Sequence, residues 1–355
     1  MKFSTLIKNL YQQVFIGIVV QSSQVKVCVQ LRKGEKLDKE VIKEFDISHS
    51  TPSSELNTFI KSYMDESPFS YVAILNDSLT QGALPTCSMH EAENFSDLGS
   101  CVTLCNNNDW MVYSEKSELN ALQKRFKTTG VDFIFSPFLI LSHFFADKTD
   151  DKASLLVLIQ KDFLSLSVFS EGKLLFAQHY NMLDAVEDET LSAEIDENTE
   201  DSLGFDLDDE DTLSINLDDI DALDELDALD DLDNLQELDD LDDLDDIEDF
   251  EESLNEAVEE SEVALEEAKH KHESKIDNFS DDYKHFQLIQ ASLNQFYGDE
   301  KYNNQFVEDV YIANSCESGH DLVQFLEEEL FVSVYKRSID IDKELVAMSI
   351  KEANS

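Results

Sequence analysis

Residues 14–31, Val14-Phe15-Ile16-Gly17-Ile18-Val19-Val20-Gln21-Ser22-Ser23-Gln24-Val25-Lys26-Val27-Cys28-Val29-Gln30-Leu31, read as two strands joined by a short polar turn. Val14 to Val20 is almost continuously apolar, the mark of a strand buried on both faces. Gln21 to Gln24 supply the turn. Val25, Val27 and Val29 then alternate with Lys26, Cys28 and Gln30, as a half-buried strand does. Taken alone, the stretch is an ordinary buried hairpin.

Set against known families, the hairpin resembles the first phosphate loop of the actin-like PilM family of type IV pilus systems, and of the related cytoplasmic part of GspL in type II secretion. There the loop reads roughly I-G-I-D-I-G-S-S-S-V-K, and its backbone N–H groups meet nucleotide phosphates. Ile16, Gly17, Ile18, Ser22, Ser23, Val25 and Lys26 stand in register with it. Val19 replaces the acidic residue that would help hold a divalent ion, and valine offers no oxygen to a hard cation. Gln21 replaces the second glycine and fills the room a phosphate needs.

The following elements fit the same resemblance. Lys39 to Ile47 reads as a third strand, and Ser50-Thr51-Pro52-Ser53-Ser54-Glu55 opens a helix, with a cap and a proline in its first turn, running to about Met64. Phe69 to Leu75 is a strand again. Val102 to Leu104 and Trp110 to Tyr113 are strands around Asn106-Asn107-Asn108, in the region (about 76–113) where the family carries a small inserted subdomain. A helix over Lys116 to Lys127, a stop at Gly130, a strand over Val131 to Phe135 and a helix from Ser136-Pro137 repeat the family's order.

Further on, Ser154 to Gln160, Leu164 to Ser170 and Leu174 to His179 form a meander with turns at Lys161-Asp162 and Glu171-Gly172-Lys173. In the family this meander carries the second phosphate loop. Its downstream end survives as Ser170 to Phe176, but Leu158, Ile159, Gln160 and Lys161 stand where Asp and Gly would be. A helix from about Ser280 to Tyr297, a strand at Val307 to Ala313, a helix at Asp321 to Glu329 and a closing strand at Val332 to Val334 complete the pattern. The family's glycine-rich adenosine turn is here Ile312-Ala313-Asn314-Ser315-Cys316, without a glycine.

Between these halves lies a polyanion. The net charge is −52, yet residues 184–268 hold 40 of the 78 acidic residues and no Lys or Arg. From Leu217 to Phe250 every third residue is Leu, Ile or Phe. Period three matches neither a helix face, where each repeat lags by roughly 60°, nor strand alternation. Aspartate is also a poor helix former, so residues 184–252 are expected to be disordered. Residues 253–277 then read as a helix with basic residues at its end; His270-Lys271-His272 there is an exposed terminus rather than a metal site.

The expected architecture is α/β: a two-lobed, actin-like (ribonuclease H-like) ATPase fold with a long acidic insertion. Residues 1–13 form an arm or helix with Phe3, Leu6, Ile7, Leu10 and Tyr11 on one face, and 14–150 the first lobe. Residues 151–183 with 278–345 form the second lobe, and 346–355 a tail. The polyanionic surface disfavours direct DNA binding. Five scattered cysteines imply reduced thiols in a cytoplasm. Cys101 and Cys105 have the spacing of half a metal site, but no second pair completes it. Neither a signal peptide nor a transmembrane helix is evident; the most apolar run, Phe133 to Ala146, is too short.

The three motifs, each missing its chemistry, imply a scaffold without ATP or magnesium; the resemblance implies that it is cytoplasmic and peripheral at the inner membrane. It would bind the tail of a PilN-like or GspM-like protein and would sit beside a secretion or pilus motor ATPase. The degenerate nucleotide positions are Gly17, Val19, Gln21, Ser22, Ser23, Lys26, Gln160, Asn314, Ser315 and Cys316. Two alternatives remain open. One is a divergent ATP-binding ATPase or kinase of the same fold, with Asp162 as the nearest spare carboxylate. The other is an interaction protein whose acidic segment mimics nucleic acid.

Overall fold

The computed structural model describes residues 11–46, 53–149, 152–182, 279–299, 301, 305–316 and 320–354. The chain divides into two units, and every described residue belongs to the one made of 1–188 and 276–355. The period-three segment, the 253–277 helix and residues 1–10 of the arm lie outside the described residues; Gln13, assigned to the arm, instead begins the first strand.

The chain opens with three antiparallel strands, β1 (Gln13–Val20), β2 (Gln24–Lys33) and β3 (Lys36–Asp46). Helix α1 (Ser54–Met64) follows. Its N-cap is Ser53, whose Oγ accepts from the Leu56 N–H at 3.1 Å. Strand β4 (Phe69–Leu75) then lies parallel to β1. An insert comes next: β5 (Gln81–Leu84), the short α2 (Met89–Ala92), β6 (Cys101–Asn106) and β7 (Trp110–Glu115), in a sheet ordered β5-β7-β6. Asn107 and Asn108 take φ of 50° and 65° at its hairpin turn, a conformation asparagine tolerates. Helix α3 (Lys116–Arg125), strand β8 (Phe133–Phe135) and helix α4 (Pro137–Phe144) complete the lobe.

The second lobe repeats this order without an insert. Strands β9 (Ser154–Gln160), β10 (Phe163–Ser170) and β11 (Lys173–Asn181) form the meander. Helix α5 (279–298), strand β12 (Asp309–Asn314), helix α6 (His320–Leu330), strand β13 (Ser333–Ser338) and helix α7 (Ile341–Asn354) follow. The sheets run β3-β2-β1-β4-β8 and β11-β10-β9-β12-β13, so each is an antiparallel meander extended by two parallel strands. One β-β-β-α-β-α-β-α unit, used twice, is the duplicated ribonuclease H-like topology.

Burial explains the layering. Val14, Ile16 and Ile18 of β1 pack with Leu56, Ile60, Leu122 and Phe126 from α1 and α3. The opposite face of β1 meets α7, where Phe15 and Cys28 cluster with Val346. In the second sheet Leu155, Val157 and Ile159 pack on α5 and α6, while Leu156 and Leu158 face Phe138 and Ile140 of α4 and Leu345 of α7. Helices α4 and α7 therefore lie between the sheets, so β1 and β9 are each buried on both faces.

Two expectations need correcting. Residues 346–354 are not a tail but most of α7. The pattern hides this because the buried side of α7 includes Asp342 and Ser349 among Ile341, Leu345, Val346 and Met348. Nor are all the thiols free: Cys87 and Cys105 form a disulfide, 18 residues apart. Spacing cannot reveal it; the sheet order places Leu84 and Cys105 on either side of Met111, and Cys87 follows Leu84 closely. The same bond removes Cys105 from any metal pair with Cys101.

The insert also touches the second sheet. Gln81 Nε2 lies 3.4 Å from His179 Nε2, and His179 Nδ1 lies 2.7 Å from Ser165 Oγ. Burial lowers the imidazole pKa to about 4. Among the described residues, no helix is long and apolar enough to cross a membrane.

Candidate functional site

In a duplicated fold of this kind, the β1–β2 and β9–β10 turns face each other across the mouth of the inter-lobe cleft. Here they touch. The Ser22 N–H donates to Asp162 Oδ2 at 2.6 Å, so the first loop's donor is satisfied by a carboxylate of the second. Gln21 closes its own loop: its N–H donates to the Gln24 carbonyl at 2.8 Å, and its Oε1 accepts from Gln24 Nε2 at 2.9 Å. Ser22 and Ser23 stay exposed at the tip.

Deeper in the cleft the chemistry is apolar. Val19 is buried in the central cluster with Leu158, Ala313, Ile341 and Leu345. Neither Val19 nor Leu158 offers an oxygen ligand to a hard cation. A carboxylate buried at either place would need a cation or donors to balance it.

Lys26 leaves β2 toward α7, 3.4 Å from Asp342 Oδ1 and 3.5 Å from Asp340 Oδ1. Burial works against its charge, but the two aspartates outweigh it and its pKa is raised. Asp342 is almost completely buried; loss of water raises its pKa despite Lys26. Lys343 holds Asp340 Oδ2 at 2.9 Å and lowers the Asp340 pKa. Gly17 sits under this start of α7, where a Cβ would overlap the Asp342 carbonyl oxygen. Close helix packing therefore accounts for the glycine of the loop motif without a phosphate.

The third motif position folds onto β9. The Ser315 N–H and Oγ both donate to the Ile159 carbonyl, at 3.1 and 3.0 Å. Asn314 Oδ1 accepts from the Cys316 N–H at 2.8 Å. Gln160 beside them is buried, and its amide nitrogen has no hydrogen-bond partner. Burial pushes up the Cys316 thiol pKa. Side chains and backbone thus satisfy one another within this turn.

All the sequence-predicted positions accordingly gather around one cleft, but their donors are turned on the protein itself. The residues present do not fit a magnesium nucleotide: Val19 and Leu158 are apolar, the Ser22 N–H is taken by Asp162 and Lys26 is paired with two aspartates. Asp340 and Asp342 are not legible in the sequence as partners of Lys26. Among the described residues, no group of three or more His, Cys, Asp or Glu side chains has the geometry to hold a metal.

A second concavity is open. A groove of about 590 Å³ runs between the insert and the first lobe, lined by Leu104, Asn106, Asp132, Phe133, His143 and Met348 among others. Strands β6 and β8 on its walls are both edge strands of their sheets.

Duplicated lobes around such a cleft define an actin-like protein. Residues 155–354 match the family model described as Domain of unknown function (DUF8341), and the chain belongs to that family. Residues 11–142 match a second model, Domain of unknown function (DUF8569). No curated protein matches the sequence. Among solved structures, the chain is similar to a Bacteroides thetaiotaomicron protein with actin-like ATPase fold and unknown function. Identity is 12%, coverage is 98% of this chain and 99% of that one, and the TM-score is 0.44. It is also similar to a PilM-PilN type IV pilus biogenesis complex, at 12% identity, 93% and 89% coverage and a TM-score of 0.43. A third is the ethanolamine utilization protein EutJ from Carboxydothermus hydrogenoformans, at 9% identity, 94% and 86% coverage and a TM-score of 0.38.

Proposed function

We propose that this chain is a non-catalytic actin-like scaffold of a pilus, type II secretion or competence assembly platform. It works at the cytoplasmic face of the inner membrane and docks the tail of a PilN-like or GspM-like partner. The observation that carries the reading is the contact between the Ser22 N–H and Asp162: the donor that would meet a phosphate is closed by the protein's own carboxylate. The sequence resemblance of the β1–β2 hairpin and of the element order supplies the kind of machine.

The groove supplies a place for the partner. An extended peptide can add to an exposed sheet edge, taking affinity from backbone hydrogen bonds and specificity from alternate side chains. β6 offers such an edge, with Leu104 standing exposed on the groove wall.

Calorimetry with Mg-ATP tests the closed cleft. No binding heat is expected at millimolar nucleotide, and micromolar binding would move the protein to the ATPase or kinase reading. Copurification from the native host tests the assembly; recovery with no pilus, secretion or competence component would count against the scaffold.

A further inference from the structure

We propose that the Cys87–Cys105 disulfide is a redox switch on the wall of the docking groove. The inference rests on the proposed function for its compartment and purpose. A cytoplasmic disulfide does not persist as a passive staple; those that form there are transient and redox-sensing.

The geometry suits a switch. Cys105 lies on β6, which among the described residues pairs with β7 alone, and it lines the groove beside Leu104 and Asn106. Cys105 is exposed while Cys87 is half-buried, so a reductant can reach the bond from solvent. Exposed disulfides are the labile and regulatory ones. The insert has only a small core of its own, around Leu84, Ala92, Leu98 and Met111, so a covalent tie matters more to it than to either lobe. Oxidised, the bond fixes the outer end of β6 against the segment after β5. Reduced, that end keeps its ladder with β7 but loses the covalent tie.

The chemistry balances with ordinary thiol reagents. A dithiol reductant attacks one cysteine sulfur and forms a mixed disulfide. Its second thiol then displaces the protein thiol, leaving two cysteine thiols and an oxidised reductant, with two electrons transferred. Glutathione disulfide reverses the change by two exchanges and releases two glutathione thiols. Cys28 is fully buried and takes no part.

Two measurements on the full-length protein test this. Thiol titration after denaturation should give three thiols from protein equilibrated with glutathione disulfide, and five after a cytosolic excess of reduced glutathione. A bond that never forms, or that survives that excess, overturns the switch. Hydrogen exchange by mass spectrometry should then show amides of residues 101–113 exchanging at least tenfold faster in the reduced protein. Peptides from 154–170 should be unchanged. Equal exchange over 101–113 in both states also overturns it. The Cys87→Ser/Cys105→Ser double variant should match the reduced protein; should it fail to fold, the wild-type pair of states decides alone. None of these readouts involves a partner, so loss of the docking reading would appear separately, as a groove that captures nothing in either state.

Discussion

Asp162 does for the Ser22 N–H what a phosphate oxygen would do in a nucleotide-binding relative, and it does so from within the chain. That Val19, Gln21 and Gln160 depart from the family's phosphate-loop residues is legible in sequence. The replacement partners are not legible. Asp340 and Asp342 sit in an Ile-Asp-Ile-Asp alternation that gives no hint of a helix start meeting Lys26. Gly17 makes the point testable. Gly17→Ala would force a Cβ into the Asp342 carbonyl oxygen, and overpacking of this kind costs about 1–3 kcal/mol. Urea unfolding should show a stability lowered by that amount, read as a lower midpoint at unchanged slope, with no dependence on added nucleotide. His179 gives a second test. The folded protein holds it neutral with a pKa of about 4, whereas the unfolded chain protonates it near the ordinary 6.5. Its stabilisation is therefore intact above pH 6.5 and lost as pH falls toward 4. Between pH 7 and 5 the wild type should lose about 2 kcal/mol more stability than His179→Gln. Equal slopes would show that the imidazole is already solvated.

At the scale of elements, the strands of both meanders were readable because apolar runs and alternation follow the pleat directly. Helices α1, α3 and α6 were readable from caps and apolar spacing. What escaped was β5, whose Gln-Gly-Ala-Leu has no strand signature and is ordered by pairing with β7. The strand at Lys39 begins earlier, at Lys36, since the β2–β3 ladder carries it past the apolar residues. Edge strand β6 matters most for function. Leu104 is 58% exposed, so Leu104→Asp should leave the thermal transition within a degree or two of the wild type. The same change should abolish copurification of any partner docked in the groove. Unchanged recovery would place docking elsewhere.

For the molecule as a whole, the two-lobed body was legible from element order, whereas the way it is tied together was not. The fold needs α7, a helix from the last segment of the chain, to cover a face of β1, a strand from the first. Sequence periodicity has no means of reporting contacts between residues more than three hundred positions apart. The crossing also sets an order of assembly. While a nascent chain emerges from the ribosome, Phe15, Cys28 and Tyr71 remain uncovered until residues 341–354 have been made, so the lobe begun first is sealed last. A fragment of residues 1–150 should accordingly bind a dye such as ANS and aggregate, and a synthetic peptide of residues 341–354 added in trans should suppress both.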